Sequence, residues 1–419
     1  MNQPTALSIE QPAHKPAHPF LFTILILPMG ASAGYVSVTL AYLLSQAGVS
    51  IEKIAALIAA TTLPHVFKFI WAPLIDTTLS FKKWYLIASI ISSAGIIALG
   101  ILPLKESSLP GLTIIVLLSQ FAITFLCMAT EGLMAYDVPE DLKGRAGGFL
   151  QAGNLGGAGL GGGLGLILVQ RLSAPWMVST VLGVICLMCA LSLFFFKDPK
   201  VTIREEKISS TYKNLFVDVW STLKSKKGIL AMLLCFLTLG TGAAGNLWSS
   251  VAKDWHASAD VIAVVTGVMG GLLSAVGCMF GGWLCDRMNR RTAYLLFGLI
   301  SAVCAVGMAY SPRTQMMFII WTSVYAVAWG LCYAGFTAFT LEAIGKGAAA
   351  TKYNVFAALS NSPIYFMTYV VGVAYTHGGA RSMLNTEAAY AVGAVVIFLL
   401  LQKIIFRSKI KGQNILSPS

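Results

Sequence analysis

Residues 271–300 read GLLSAVGCMFGGWLC, then DRMNRR, then TAYLLFGLI. The first and third parts belong to longer apolar stretches, near 259–285 and 292–311, and the middle part carries four charges in six residues. About 20 apolar residues are enough for a helix to cross a bilayer. This segment therefore predicts two membrane-spanning helices joined by a short basic loop.

The composition of the whole chain agrees with this interpretation. Of 419 residues, 57% are apolar and 11% are charged, and the mean hydropathy is +0.76. Soluble domains are about 45–50% apolar and about 25% charged. The composition excludes a soluble enzyme, a disordered chain and a disulfide scaffold, and it favours an all-α polytopic membrane protein.

Twelve apolar stretches of this kind occur along the chain, and they do not alternate as barrel strands would. We number them spans 1 to 12; they lie near residues 20–45, 52–76, 84–103, 110–137, 146–170, 175–196, 229–251, 259–285, 292–311, 315–341, 353–376 and 386–406. The first 19 residues lack a basic segment and a cleavage site, so we interpret span 1 as a retained span rather than a signal peptide.

Basic residues are distributed unevenly between the two sides of these spans. The tails and the loops on the same side as the tails hold 22 Lys and Arg, and the opposite loops hold 6. Positive charge favours the cytoplasmic side, so both termini are predicted to be cytoplasmic. The bias also explains the net charge of +12 without a nucleic-acid partner.

The chain is predicted to be two copies of one six-helix unit. Arg145, Phe149 and Asn154 recur 207 residues later as Lys352, Phe356 and Asn361, and Gly30 recurs as Gly240. Several matches at nearly one offset indicate a duplication. We expect an N-tail at 1–19, bundles at 20–196 and 228–406, a central loop at 197–227 and a C-tail at 407–419. Repeated halves are typical of secondary transporters.

The loop at Gly282, Leu284, Asp286, Arg287, Arg290 and Arg291 resembles the G-x-L-x-D-R-x-G-R-R signature of the major facilitator superfamily, with Asn289 at the second glycine. The resemblance implies two six-helix bundles that rock to give alternating access. Spans 1, 4, 7 and 10 would line the cavity. It also implies a monomer without a cofactor.

A narrower resemblance involves residues 64–76, PHVFKFIWAPLID, together with Asp137, Pro139, Arg145 and Gly147. This pattern is similar to the branch that contains muropeptide permeases (AmpG-like), acetyl-CoA transporters and siderophore importers. The resemblance implies uptake of a fairly large polar or amphipathic solute, such as a muropeptide, a siderophore or a nucleotide-like compound, across a bacterial inner membrane.

Charges inside spans are the main candidates for substrate or proton coupling, because each costs at least about 2.5 kcal/mol at a helix centre. Lys68 precedes Asp76 by eight residues, which places it about 12 Å from the loop at 1.5 Å per residue. Glu131 lies at a similar depth in span 4, so the two could form a buried pair. The alternative is a structural ion pair. His65 shares a face with Lys68 and could carry a proton or simply be hydrogen-bonded beside Pro64.

The charges at the loop ends are candidates for gating. Asp76 and Asp286 end their spans beside basic loops, where a carboxylate can face the N-terminus of a neighbouring helix. We expect Asp286 to bond to Arg287 and, with Arg291, to contribute to a gate that opens during the cycle. Arg145 and Lys352 hold equivalent loop positions and are weaker candidates. The alternative is that this charge cluster has no gating role and only fixes the orientation of the spans in the membrane.

Further polar and aromatic residues could line the cavity or could be ordinary packing. They are Tyr35, Asn154, Asn246, Trp248, Tyr325, Trp329, Asn361 and Tyr365. The glycines at 157, 159 and 162 match a dinucleotide pattern, but they lie inside an apolar span, so we reject that function and expect close helix packing instead. No catalytic or metal motif appears.

These observations favour a secondary transporter, with protons as the coupling ion, a small-molecule substrate and membrane lipid as surroundings. Three alternatives remain: efflux on the same fold, a non-transporting sensor, and a membrane-embedded enzyme. An enzyme should show a convergent set of reactive groups, and a sensor should show no flux.

Overall fold

The computed structural model describes residues 16–172, 174–199, 208–237 and 239–413, and these residues form helices and connecting turns. Apolar side chains such as Leu118 and Phe194 cover much of the outer surface of the bundle, as a lipid-facing surface requires. The helices of the first half are Leu21–Gln46 with a π segment at Tyr35–Leu40, Ile51–Phe67 followed by Ala72–Thr77, Phe81–Ile101, Leu109–Asp137, Lys143–Arg171 and Pro175–Met188.

The second half has the same plan with two differences. Span 7 is not continuous: a helix at Lys226–Phe236 is followed by a non-helical segment, a 3-10 turn at Ala243–Leu247 and a short helix at Trp248–Val251. Spans 11 and 12 lie within Ala349–Gln413 and are separated by non-helical backbone at Gly378 and Gly379. The remaining helices are Asp260–Cys285, Arg290–Tyr310 and Gln315–Ile344.

Ten helices of the described chain are long and apolar enough to cross a membrane. One of them, Ala349–Ile404, is 56 residues long and contains spans 11 and 12. The interrupted span 7 is the remaining one. The expected twelve-span arrangement is therefore confirmed, although span 7 departs from a regular helix.

The central segment also differs from the expected loop, because a helix covers Ile208–Lys224. Leu215 and Val219 are buried on one side of it, and Asp218 pairs with Lys352 at 2.8 Å. The helix was not predicted, because the segment is mostly polar and its few apolar residues at helical spacing did not stand out. The helix covers one end of the molecule, where four loops join spans 2 and 3, 4 and 5, 8 and 9, and 10 and 11. We call this end the basic end.

Glycines of span 5 set the distance between helices on two sides. A β-carbon at Gly161 would lie 2.1 Å from the Ala31 carbonyl oxygen of span 1, and one at Gly30 would lie 2.0 Å from the Asn154 carbonyl oxygen. On the other side of span 5, a β-carbon at Gly148 would lie 2.5 Å from the Cys278 carbonyl oxygen of span 8. Span 5 therefore packs closely within its own bundle and against the other bundle, as small residues allow.

Substitution of Gly161 by Ala should destabilise the protein, because the new methyl group would collide with backbone atoms. Overpacking of this kind typically costs about 1–3 kcal/mol. Gly393→Ala is the matched control, since nothing lies within 4 Å of its β-carbon position. Thermal melting of the purified variants in detergent should show a lower midpoint for Gly161→Ala alone, and equal midpoints would contradict the close approach.

Candidate functional site

A cavity of about 460 Å³ lies between the two bundles. Such a volume falls within the range of about 300–1,000 Å³ that is usual for ligand pockets. The polar side chains that line it come from both halves: Thr61, Thr62, His65, Lys68, Gln120, Glu131, Gln151, Asn154, Thr241, Asn246, Tyr294, Tyr333, Tyr353, Ser360, Asn361 and Tyr365.

Lys68 and Glu131, which the sequence places at similar depth, form a pair in this wall. The Lys68 Nζ lies 3.4 Å from Glu131 Oε1, and the two side chains are 9% and 6% exposed. Lys68 reaches Glu131 from a 3-10 turn at Lys68–Ile70, where span 2 bends after Pro64. Each charge has an opposite partner, as buried charges require.

Glu131 also connects the two bundles. Asn354 of span 11 donates from Nδ2 to Glu131 Oε2 at 2.8 Å. A second link across the bundles runs from Gln151 Nε2 to Thr337 Oγ1 at 2.9 Å. A change in the charge of Glu131 would therefore act on Lys68 and on the opposite bundle together.

His65 belongs to a separate polar chain in the same cavity. Its Nε2 lies 3.2 Å from Gln120 Oε1, and Gln120 Nε2 donates to Ser32 Oγ at 2.9 Å. The other ring nitrogen, Nδ1, has no partner within the described chain. His65 is thus both hydrogen-bonded and in the cavity wall, and it makes no ion pair in the described residues.

A second cavity, of about 330 Å³, contains the predicted aromatic residues of spans 7 and 10. Trp248 meets Tyr325 edge to face at a centroid distance of 5.2 Å, and Trp329 meets Tyr333 in the same way at 5.1 Å. Asn246 lines both cavities. The second cavity lies farther from the basic end than the first.

The other predicted lining residues are divided between cavity and core. Asn154, Asn361 and Tyr365 line the first cavity, and Tyr365 is 60% exposed. Asn154 donates to Gln151 Oε1 at 3.1 Å. Tyr35 is a correction, because it is fully buried in the core of the first bundle and lines neither cavity. The π segment that begins at Tyr35 shifts the helical register of span 1.

The basic end is closed by two equivalent contacts. Asp76 accepts from the Thr351 amide at 2.8 Å, the Thr351 hydroxyl at 2.7 Å and the Ala350 amide at 3.3 Å. Asp286 accepts from the Gly144 amide at 2.7 Å and the Arg145 amide at 3.1 Å. Each carboxylate thus joins the end of one span to the start of a helix in the opposite bundle.

Asp286 does not bond to Arg287, contrary to the sequence expectation. Its side-chain partner is Arg145, whose Nε donates at 2.9 Å, while Arg287 stacks on the Trp283 ring at 3.7 Å. The side chains of adjacent residues at a helix end, such as Asp286 and Arg287, point in different directions. The Asp286 carboxylate therefore reaches a residue of another helix more easily than it reaches Arg287. Burial raises the pKa of the Asp286 carboxyl, and the hydrogen bonds from Arg145 and Gly144 act in the opposite direction.

Several further charges cross-link the same end. Arg291 pairs with Glu342 at 3.3 Å, and Arg290 pairs with Glu140 of the opposite bundle at 2.6 Å. Lys143 donates to the Leu341 carbonyl oxygen of span 10 at 3.1 Å. Sequence reasoning missed Glu140, Arg290 and Lys143 as bridging residues, because their partners are far away in the chain.

Sequence reasoning also missed Gln120 and Gln151 in the cavity wall, Asn354 behind Glu131, and Glu387 in span 12. Polar amides inside apolar spans were a readable signal, since buried polar groups need partners. Within the described part of the chain, no group of three or more His, Cys, Asp or Glu side chains could hold a metal ion.

Two six-helix bundles enclose a cavity whose polar side chains come from both halves, and charged contacts close one end, which is the architecture of a membrane transporter. The family model of the Major Facilitator Superfamily matches residues 20–367. The chain belongs to this family.

A relative named as a permease also indicates a transporter rather than an enzyme, and a second relative is similar over most of the chain. The anhydromuropeptide permease of Escherichia coli K12 is 22% identical over 359 residues, which cover 81% of this chain and 70% of the relative. An uncharacterized protein of Haemophilus influenzae is 27% identical over 375 residues, or 84% and 83% of the two chains.

Solved structures show the same fold. The E. coli fucose:proton symporter FucP has a TM-score of 0.67 at 16% identity, covering 91% of this chain and 97% of the other. The proton:xylose symporter XylE has a TM-score of 0.66 at 11% identity, covering 91% and 95%.

Removal of Lys68 alone should destabilise the protein, because Glu131 would be left buried without its cation. Breaking a buried pair on one side typically costs about 3–5 kcal/mol. Lys68→Met should therefore lower the melting midpoint strongly, and adding Glu131→Gln should recover most of the loss. Lys53→Met is the control: its pair with Glu106 is half-exposed, and such pairs contribute about 1 kcal/mol or less.

Asp286→Asn should loosen the amides that the carboxylate holds. Hydrogen bonds to charged groups contribute about 1.5–3 kcal/mol, so exchange at Gly144 and Arg145 should rise by about ten- to a hundredfold. Asp76→Asn should raise exchange at Ala350 and Thr351 instead. Hydrogen exchange with mass spectrometry checks both, and unchanged rates in both variants would contradict a carboxylate-held closure.

Proposed function

We propose that this protein is a proton-coupled importer of a fairly large polar solute of the muropeptide class. The solute would bind in the 460 Å³ cavity, and Glu131 would exchange its proton during the cycle. The observation that carries the proposal is the contact set of Glu131, which pairs with Lys68 in its own bundle and accepts from Asn354 in the other.

The chemistry of this contact set supports coupling. Protonation of Glu131 removes the charge that holds Lys68, so the Lys68 ammonium becomes available to an anionic group of the solute. It also weakens the charge-assisted bond from Asn354. One proton would thus prepare the cavity for an anion and loosen the two bundles from each other.

The cavity lining supports a solute that combines many hydrogen-bonding groups with at least one anion. Amide and hydroxyl side chains predominate among its polar lining residues, beside apolar side chains such as Leu237 and Phe336, and Lys68 is a cation within the cavity wall. A relative named as an anhydromuropeptide permease and two sugar:proton symporters with the same fold point the same way. Siderophores and nucleotides share some of this chemistry and are comparison solutes.

The closed basic end supports alternating access. Asp76 and Asp286 hold the bundles together there, while the second cavity extends away from it. With the predicted orientation, the solute would enter from the periplasmic side, and release would require both carboxylates to leave their amides. Asp76, Asp286 and Arg145 would thus form the gate between the bundles, and Arg291 would support it through its pair with Glu342 in the same bundle. The membrane would be the bacterial inner membrane.

Glu131→Gln should abolish proton-driven accumulation but retain exchange of labelled for unlabelled solute, because exchange needs no net proton transfer. The assay is uptake of an anhydromuropeptide by proteoliposomes with an imposed pH gradient. Glu52→Gln is the matched control, since Glu52 lies exposed at the start of span 2. An unchanged proton dependence would remove Glu131 as the carrier.

The same assay separates the other functions. Accumulation driven by the opposite gradient would indicate efflux. Binding measured by thermal shift without flux of muropeptides, siderophores or nucleotides would indicate a sensor.

A further inference from the structure

Span 12 contains a carboxyl group that the proposed cycle does not use. Glu387 is 8% exposed and does not line the cavity that contains Glu131. Its Oε1 accepts from the Tyr325 hydroxyl at 2.7 Å and from the Ala244 amide at 3.4 Å. Its Oε2 is shielded from solvent and has no partner among the described residues.

These two donors connect Glu387 to the interrupted part of span 7. Gly240 and Gly242 have φ values of +59° and +65°, a left-handed conformation that glycine adopts without strain. The 3-10 turn Ala243–Leu247 follows directly, and Ala244 is its second residue. Leu237, Leu239, Gly240 and Thr241 of the broken segment line the first cavity. Glu387 therefore holds a segment that forms part of the cavity wall.

The corresponding positions of the first half lack both features. Gly30, which precedes Gly240 by 210 residues, lies in a continuous helix, and Ser179 stands 208 residues before Glu387. A break that only completed the duplicated fold would be expected in both halves. Among the described residues, a break in the first span of a bundle with a buried carboxyl group bonded to it is therefore specific to the second half.

Few titratable groups surround Glu387 within the described part of the chain. The titratable groups that face it are the Tyr325 phenol and the thiol of Cys332, with the Cys304 thiol beyond them, and no Lys or Arg of the described residues pairs with it. A buried carboxylate with one unpartnered oxygen is costly. A proton on Oε2 removes the charge and leaves Oε1 free to accept from Tyr325 and Ala244.

We propose that Glu387 is a proton-binding site, distinct from Glu131, that controls the conformation of span 7. A proton from water in the second cavity, whose wall includes Tyr325, binds to Oε2 of the Glu387 carboxylate. The protonated acid holds residues 239–247 as seen here. Ionisation favours a conformation in which water reaches Oε2, and this requires the segment at Ala243 and Ala244 to move.

Hydrogen exchange of the full-length protein between pH 5 and pH 8, corrected for the intrinsic pH dependence, tests this without any solute. In the unsubstituted protein, the amides of residues 243–247 should lose protection as pH rises past a midpoint. Linkage to one proton gives up to about tenfold per pH unit. Glu387→Gln, a neutral mimic of the acid, should keep these amides protected at every pH.

Two further variants make the outcome specific. Glu131→Gln should retain the pH step, because that residue belongs to the other cavity, so failure of the proposed transport mechanism would leave this result unaffected. Tyr325→Phe should shift the midpoint, because it removes a donor to Glu387, and it covers the case in which Glu387→Gln does not fold. A flat pH profile in the unsubstituted protein, or a step that persists in Glu387→Gln, would overturn the proposal.

Discussion

A charge inside an apolar bundle must have a partner, and this constraint organises the protein. Each charged side chain discussed within the bundle lies against an opposite charge or a backbone polar group. Lys68 pairs with Glu131, and Lys143 bonds to a carbonyl oxygen of the opposite bundle. Because such partners are costly to lose, every buried charge fixes a particular arrangement of helices.

The two halves have equivalent carboxylate contacts at the basic end, but they differ in their buried polar groups. Asp76 and Asp286 make equivalent contacts to the starts of spans 11 and 5, so the two halves meet at the basic end in nearly the same way. The buried pair occurs in the first half, whereas the broken span with Glu387 occurs in the second. A symmetric frame thus carries two different polar sites, one on each side of the interface between the bundles.

Much of this could be predicted from the chain alone. Span number depends on hydropathy, and the depth of Lys68 and Glu131 depends on the fixed rise of a helix. The family could be inferred from the charged signature of the loop after span 8. Arg287 was assigned the wrong partner, because adjacency in sequence says little about direction at a helix end. The break in span 7 was missed, because its glycines and apolar residues fit a continuous span equally well. Glu387 was missed because it stands at the start of its span, where a charge is usually solvated.

The sequence by itself determined the twelve-span plan, the duplication and the scarcity of charges within spans, because each follows from the cost of placing polar groups in a bilayer. Only the tertiary structure decided which groups meet. Asn354 reaches Glu131 across 223 residues of chain, and Glu387 reaches the Ala244 amide across 143. Such pairings depend on helix rotation and on close approach at glycines, and neither is encoded in local periodicity.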